Sequence, residues 1–376
     1  MSRRFVYYKP NLVVDEANHA LPGIKKFSYY FRMYNPGVVP VDRTNTIRLP
    51  VHVKSLYPLP TFRPINKTFE EICNERAVEL LKHADALGEQ LYTFWSGGID
   101  STLLLVSLLK NATPAQKENI MVLMTEESIA ENPNFYRDHI QGRLRTDSSD
   151  SFSYLLGTRH ILLDGEHNDQ LFGSDIVASV MQKYGDEVIH TPYRRELFVD
   201  FFGGLIDDTA IASFYVDLFE KLFAAAPIPI TTVYDGFWWI NFALKWQTVN
   251  LRKLPFVAPR NAARVTPEYV ATRHLHFYST DDFQLWSMNN PDKKIKDSWK
   301  TYKWPCKDII YDYTKDAEYR DNKIKRGSLY SLLLQQSQYN FIDESMTFHH
   351  ELDAKEFYNP DNDFKDAPAV TPKVGA

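Results

Sequence analysis

Cysteine is nearly missing from this 376-residue chain: Cys73 and Cys306 stand far apart and outside any Cys-x-x-Cys pairing. Two thiols cannot build a disulfide framework or a cysteine-based zinc site, so a reduced, cytoplasmic setting is the expectation. An excess of one charge is missing too. The 43 Lys and Arg and 48 Asp and Glu leave a net charge of −5, and no overall basic field draws the chain to nucleic acid or to an anionic membrane. No stretch approaches the roughly 18 apolar residues of a membrane span. After the basic Met1-Ser2-Arg3-Arg4, the segment Phe5-Val6-Tyr7-Tyr8-Lys9-Pro10 is no apolar signal core. Repeats and low-complexity tracts are absent.

What remains is an ordinary globular composition, 44% hydrophobic and 24% charged, with a high aromatic share of 14% that suits deep apolar pockets or broad interfaces. The length suits two domains, or one large domain with additions. Residues 1–66 read as a small β-rich module, with strands expected at Phe5–Tyr8, Phe27–Met33 and Thr46–Val53 between Asn-Pro, Gly and Pro punctuation. Thr68 followed by Glu71 is a capping-box pattern that opens a helix carrying apolar residues at helical spacing as far as Gly88. From there the texture alternates. Strands are expected at Leu91–Trp95, Ile120–Met124 and His160–Leu163, and helices at Thr102–Lys110, Phe135–Leu144 and Asp169–Tyr184. Alternation of this kind predicts an α/β fold, a parallel sheet with helices on both faces, followed by an aromatic-rich helical half. The domain is expected to run over 67–350. Residues 351–376, rich in Asp, Asn, Pro and Lys, read as a flexible tail.

The segment Ser96-Gly97-Gly98-Ile99-Asp100-Ser101 lies between an expected strand and an expected helix. Gly97 and Gly98 let the backbone approach an anion closely, Ser96 and Ser101 add hydroxyl donors, and the helix start offers free N–H groups with a positive dipole end. Asp100 is itself an anion. A bridging Mg²⁺ reconciles it with phosphate, so the set reads as a metal–pyrophosphate loop. It is neither a Walker A loop, since Gly-Lys-Ser/Thr is missing, nor a dinucleotide fingerprint. A second strand–turn–helix, His160-Ile-Leu-Leu-Asp-Gly-Glu-His-Asn-Asp-Gln-Leu-Phe-Gly173, turns at Gly165 and displays Glu166 and Asp169. By itself this reads equally well as acidic capping of a helix start. Beside Asp100 on a neighbouring strand, Asp169 becomes a second Mg²⁺ ligand.

Together, Ser-Gly-Gly-x-Asp-Ser and Gly-Glu-x-x-Asp-x-Leu-Phe-Gly resemble the synthetase domain of the asparagine synthetase and β-lactam synthetase family, over roughly residues 67–330. The resemblance implies ATP and Mg²⁺, adenylation of a small-molecule carboxylate with pyrophosphate release, and amide formation with ammonia or an amine. It implies Asp100 and Asp169 as metal ligands, Glu166 at the chemical centre, and the strand that holds Val122 and Met124 beside the adenine. It also implies a lysine late in the domain, before an apolar pair. In Trp304-Pro305-Cys306-Lys307-Asp308-Ile309-Ile310 that residue is Lys307, with Lys303 as competitor. The chain departs from the family at its start: Ser2 stands where a glutaminase cysteine is expected, and too few residues precede the loop for that domain. Nitrogen is then expected from free ammonia, an amine on the acceptor, or another subunit. Sulfur transfer through Cys306 and a non-catalytic nucleotide-binding scaffold are the rival readings. His274-x-His276 has strand spacing for a metal, but no third ligand is evident from the sequence.

Overall fold

The computed structural model describes residues 3–9, 16–32, 39–324, 337–351 and 353–368. Its strands are β1 (Phe5–Tyr8), β2 (Leu91–Phe94), β3 (Ile120–Met124), β4 (Arg145–Ser148), β5 (Ile161–Asp164), β6 (His274–His276), β7 (Phe341–Asp343) and β8 (Phe348–His349); β1, β2, β3 and β5 are buried along their whole length, whereas β4 is polar and exposed throughout. Chain contacts gather into two compact units, each discontinuous in sequence. One comprises residues 1–59, 176–255 and 339–376, the other 60–175 and 256–338. This differs from the consecutive segments 1–66, 67–350 and 351–376 expected of the sequence. The reason is long-range pairing: β1 runs antiparallel to β7, with Phe5 opposite Asp343, and β7 pairs with β8.

The second unit holds a five-stranded parallel sheet flanked by helices, in the order β4-β3-β2-β5-β6. From β2 the chain moves outward to β3 and β4, then returns to place β5 and β6 on the other side of β2. The strand order therefore reverses between β2 and β5, and in sheets of this kind ligands bind beyond the carboxyl ends of the strands at that reversal. The helix Phe69–Leu87 precedes β2 with its Thr68/Glu71 capping box formed and Gly88 closing it at φ 62°. The helix Ile99–Asn111 follows β2 and buries ten of its residues. Leu103, Leu104, Leu105, Val106 and Leu108 in it are fully buried, and at about 25 cal/mol per Å² of apolar surface such burial is a main source of stability.

The first unit surrounds the helix Val233–Leu251, all of whose residues are buried. Its Gln247 ties the N-terminal segment down: Nε2 donates to Val6 O (2.7 Å) and Lys54 O (2.9 Å), and Oε1 accepts from Leu56 N (2.6 Å). Arg43 donates to Tyr57 O (2.7 Å), Pro58 O (3.0 Å) and Phe242 O (3.3 Å), and its guanidinium lies over the Trp246 ring at 4.5 Å. The small β-sheet is thus only part of a largely helical unit.

Several expected elements differ. The strand at Phe27–Met33 is instead the helix Ile24–Arg32, with Ile24 and Phe27 buried three positions apart (Met33 lies outside the described residues). Aromatic content suggested a strand, but the burial follows helical spacing. Thr46–Val53 forms only isolated bridges at Val51 and Val53, because the Asp42 carboxylate takes the amides of Thr44, Thr46 and Ile47 at 2.7–2.8 Å and curls the backbone. The helix at 135–144 shrinks to short turns over Pro133–Phe135 and Tyr136–Ile140. The helix at 169–184 breaks at Gly173 (φ 102°) and Ser174 (φ 67°), and the aromatic stretch 198–223 divides at Asp207 (φ 60°).

Residues 353–368 are no loose tail; residues 369–376 lie outside the described chain. Phe357, Asn362 and Phe364 are buried, and Asp363 accepts Arg48 N at 2.8 Å. Phe364 packs edge-on against Phe27 with ring centres 4.9 Å apart. Phe364→Ala is therefore expected to destabilise the chain by roughly 3–5 kcal/mol, as for other buried aromatic truncations. Chemical denaturation followed by circular dichroism measures it; a solvated tail would give no change.

Candidate functional site

The loop after β2 is shaped by what cannot fit beside it. Gly97 has φ +74°, and a Cβ there would lie 2.5 Å from Ser128 O and 2.8 Å from Glu131 Cβ. Only glycine serves at that position. Gly98 begins the helix Ile99–Asn111 without any side-chain cap, so the positive dipole end of the helix faces the loop. Ser101 Oγ accepts the Ser96 amide at 3.0 Å and lies 3.0 Å from Ser96 Oγ, which gathers both hydroxyls at the loop.

The loop after β5 packs backbone to backbone against that helix start. A Cβ on Gly165 would come within 3.1 Å of the Asp100 carbonyl carbon and 3.2 Å of Ser101 N. This closeness brings the two acidic positions together. Asp100 accepts from Asn168 Nδ2 at 2.7 Å, and its backbone carbonyl accepts from Tyr278 OH at 2.8 Å. Between the carboxylates lies a cation: Lys303 Nζ is 2.6 and 2.8 Å from the two Asp100 oxygens and 2.6 Å from Asp169 Oδ1. The Lys303 side chain is fully buried, whereas each aspartate keeps 21% of its side chain exposed. The lysine sits in the left-handed region at φ 58°, just before the helix Trp304–Thr314, and its amide donates to Lys294 O at 3.0 Å.

Ser96, Gly97, Gly98, Asp100, Ser101, Gly165 and Asp169 thus lie together at the reversal between β2 and β5. Glu166 is half-buried in the same turn, its amide donating to Asp164 Oδ1 at 3.1 Å. Val122 is fully buried and Met124 is 8% exposed, within and at the end of β3. The lysine that the structure brings to the aspartates is Lys303. Lys307, one turn further on, is buried and donates instead to Lys300 O at 2.5 Å. Burial lowers its pKa from 10.5 to about 8. Burial also pushes the Cys306 thiol up to about 12, despite its contact with Asn168 Nδ2 at 3.6 Å, a direction that disfavours the thiolate.

One cluster escaped the sequence reading. Asp164, at the end of β5, lies opposite His276 on β6, and His276 Nδ1 is 2.6 Å from Asp164 Oδ1. The third partner of the His-x-His pair therefore comes from the adjacent strand, and only strand order and register disclose it. Comparison of the sequence with protein-family models and with curated proteins finds no significant match. Among the described residues no helix is long and apolar enough to cross a membrane.

Two outcomes follow. Lys303→Met leaves two carboxylates facing each other without their cation; the loss should be about 2–3 kcal/mol of stability, below the ~3–5 of a fully buried pair because both aspartates touch solvent. Adding Asp169→Asn should return part of it, as a double-mutant cycle reads directly. For Lys307, the unfolded chain holds a proton that the folded chain releases between about pH 8 and its ordinary 10.5. Stability should rise with pH across that window, and Lys307→Met should flatten the rise.

Proposed function

We propose that this chain is an ATP-dependent, AMP-forming ligase that adenylates a small-molecule carboxylate and then forms an amide with ammonia or an amine. The observation that carries the reading is the convergence of Asp100 and Asp169 on one buried cation beside the uncapped start of the helix Ile99–Asn111. Two carboxylates and an uncapped helix start are of opposite use to an anion. Both belong in one site when the anion arrives with a divalent cation.

The donor set suits Mg²⁺: hard carboxylate oxygens, already gathered around a single positive charge. Asp100 and Asp169 would hold it, and when bound it supplies charge neutralisation to the phosphates. The amides of the loop at 96–101 and the helix dipole bind the β- and γ-phosphates of ATP. A substrate carboxylate oxygen attacks the α-phosphorus, and the bond to the bridging oxygen breaks, so pyrophosphate leaves with the electron pair. Lys303, whose ammonium lies at both aspartates, would supply positive charge to the α-phosphate. The charge-stabilising role that the family resemblance implied for Lys307, with Lys303 as competitor, falls here to Lys303. The amine nitrogen then attacks the acyl carbon, AMP departs with the acyl–oxygen bond, and the Glu166 carboxylate takes the amine proton. The same resemblance to asparagine and β-lactam synthetases supports the order of these steps.

Incubation with ATP, Mg²⁺ and a panel of carboxylates and amines should release pyrophosphate and AMP in equal amounts. Lys303→Met and Glu166→Gln should each slow turnover by about 100-fold or more, the scale of losing one preorganised charge-stabilising or proton-accepting group. ADP and orthophosphate as products would overturn the adenylation chemistry.

A further inference from the structure

On the edge strand β6 of the parallel sheet and its neighbour β5, three side chains meet that the ligase reading leaves without a task. In β5 and β6, Asp164 lies opposite His276 and Leu162 opposite His274. Side chains alternate faces along a strand, so His274, His276 and Asp164 share one face. One ligand atom from each, two imidazole nitrogens and a carboxylate oxygen, lie within 4.8 Å of one another, and all three residues are buried. The rings of His274 and His276 stand edge to face at 4.8 Å. A further imidazole, His167, stands edge to face with His276 at 5.0 Å and is itself buried, with its backbone at φ 76°.

We propose that Asp164, His274 and His276 form a binding site for Zn²⁺. Two imidazoles and one carboxylate are the donors of borderline divalent ions; Mg²⁺ and Ca²⁺ favour all-oxygen sites, and soft ions favour sulfur. Drawing the three atoms in to the roughly 2.0–2.2 Å of zinc–ligand bonds asks for side-chain rotation, with no change of strand register. The ion replaces the proton shared between His276 Nδ1 and Asp164 Oδ1, which passes to solvent. Asp164 also accepts the Glu166 amide at 3.1 Å, so the ion would fasten the edge strand β6 to the turn that carries Glu166. The site is separate from the Asp100–Asp169 pair and does not depend on the ligase reading.

The test uses the full chain, loaded with ZnSO₄, dialysed exhaustively against metal-free buffer and analysed by mass spectrometry for metal content. About one zinc per chain should remain, with an X-ray absorption spectrum showing nitrogen and oxygen neighbours, an imidazole signature and no sulfur. His274→Gln and Asp164→Asn should each lose it. His349→Gln, which removes another His–Asp pair whose atoms are 2.9 Å apart, should keep it. Should the first two variants fail to fold, the wild-type absorption spectrum decides alone: a shell without two imidazoles overturns the site. No retained zinc in the wild-type chain, or full retention in folded His274→Gln, also overturns it and leaves a hydrogen-bonded His–Asp pair.

Discussion

A single buried ammonium governs the carboxyl edge of the parallel sheet. Lys303 neutralises Asp100 and Asp169 at once, and without it the packing of the two loops would hold two like charges together. Their backbones are in contact at Gly165, where a side chain would collide with the first turn of the helix after β2. That contact aims both carboxylates at one point, and the point needs a positive charge. The left-handed backbone of Lys303, an unfavourable place for a residue with a Cβ, shows that the surrounding structure holds the lysine there. Strain of this kind persists where neighbouring contacts over-determine it.

An internal cation also changes the meaning of the aspartates. In an empty site of this type two exposed acids would be an ordinary solvated cluster. Here their charge is already compensated by Lys303. On the ligase proposal, a metal–phosphate group would meet a neutralised pair of carboxylates rather than two unscreened charges. The backbone amide of Lys303, bonded to Lys294 O, anchors the lysine beside them.

Much of this was legible in the sequence where chemistry and geometry are local. The Thr68/Glu71 box, the buried strand Ile120–Met124 and the Gly97-Gly98 turn are each specified by neighbours a few residues away. The helix Ile24–Arg32 was not legible, because aromatic residues favour strands by composition while their spacing here is helical. Residues 353–368 read as solvated from their polar content, yet Phe357 and Phe364 among them are buried; two large side chains outweigh many small polar ones. The preference of the site for Lys303 over Lys307 turns on a backbone angle. Both lysines stand near the start of one helix, and only the left-handed residue before it directs its side chain to the aspartates. Asp164 stayed unconnected to His274 and His276 because 110 positions separate it from the nearer histidine in sequence, a distance closed only by the pairing of β5 with β6.

The first compact unit draws on both ends of the chain, with β1 hydrogen-bonded to β7 more than 330 residues later. During synthesis, β1 leaves the ribosome without its partner strand. Residues 60–175 and 256–338, which make the other unit, are all made before β7 emerges. The parallel sheet can therefore assemble while the first unit still lacks a strand, and only synthesis of β7 and β8 closes the small sheet. A chain that stops before β7 would keep the whole loop at 96–101 and the aspartates yet leave the edge of β1 bare, in the form most prone to pair with another molecule.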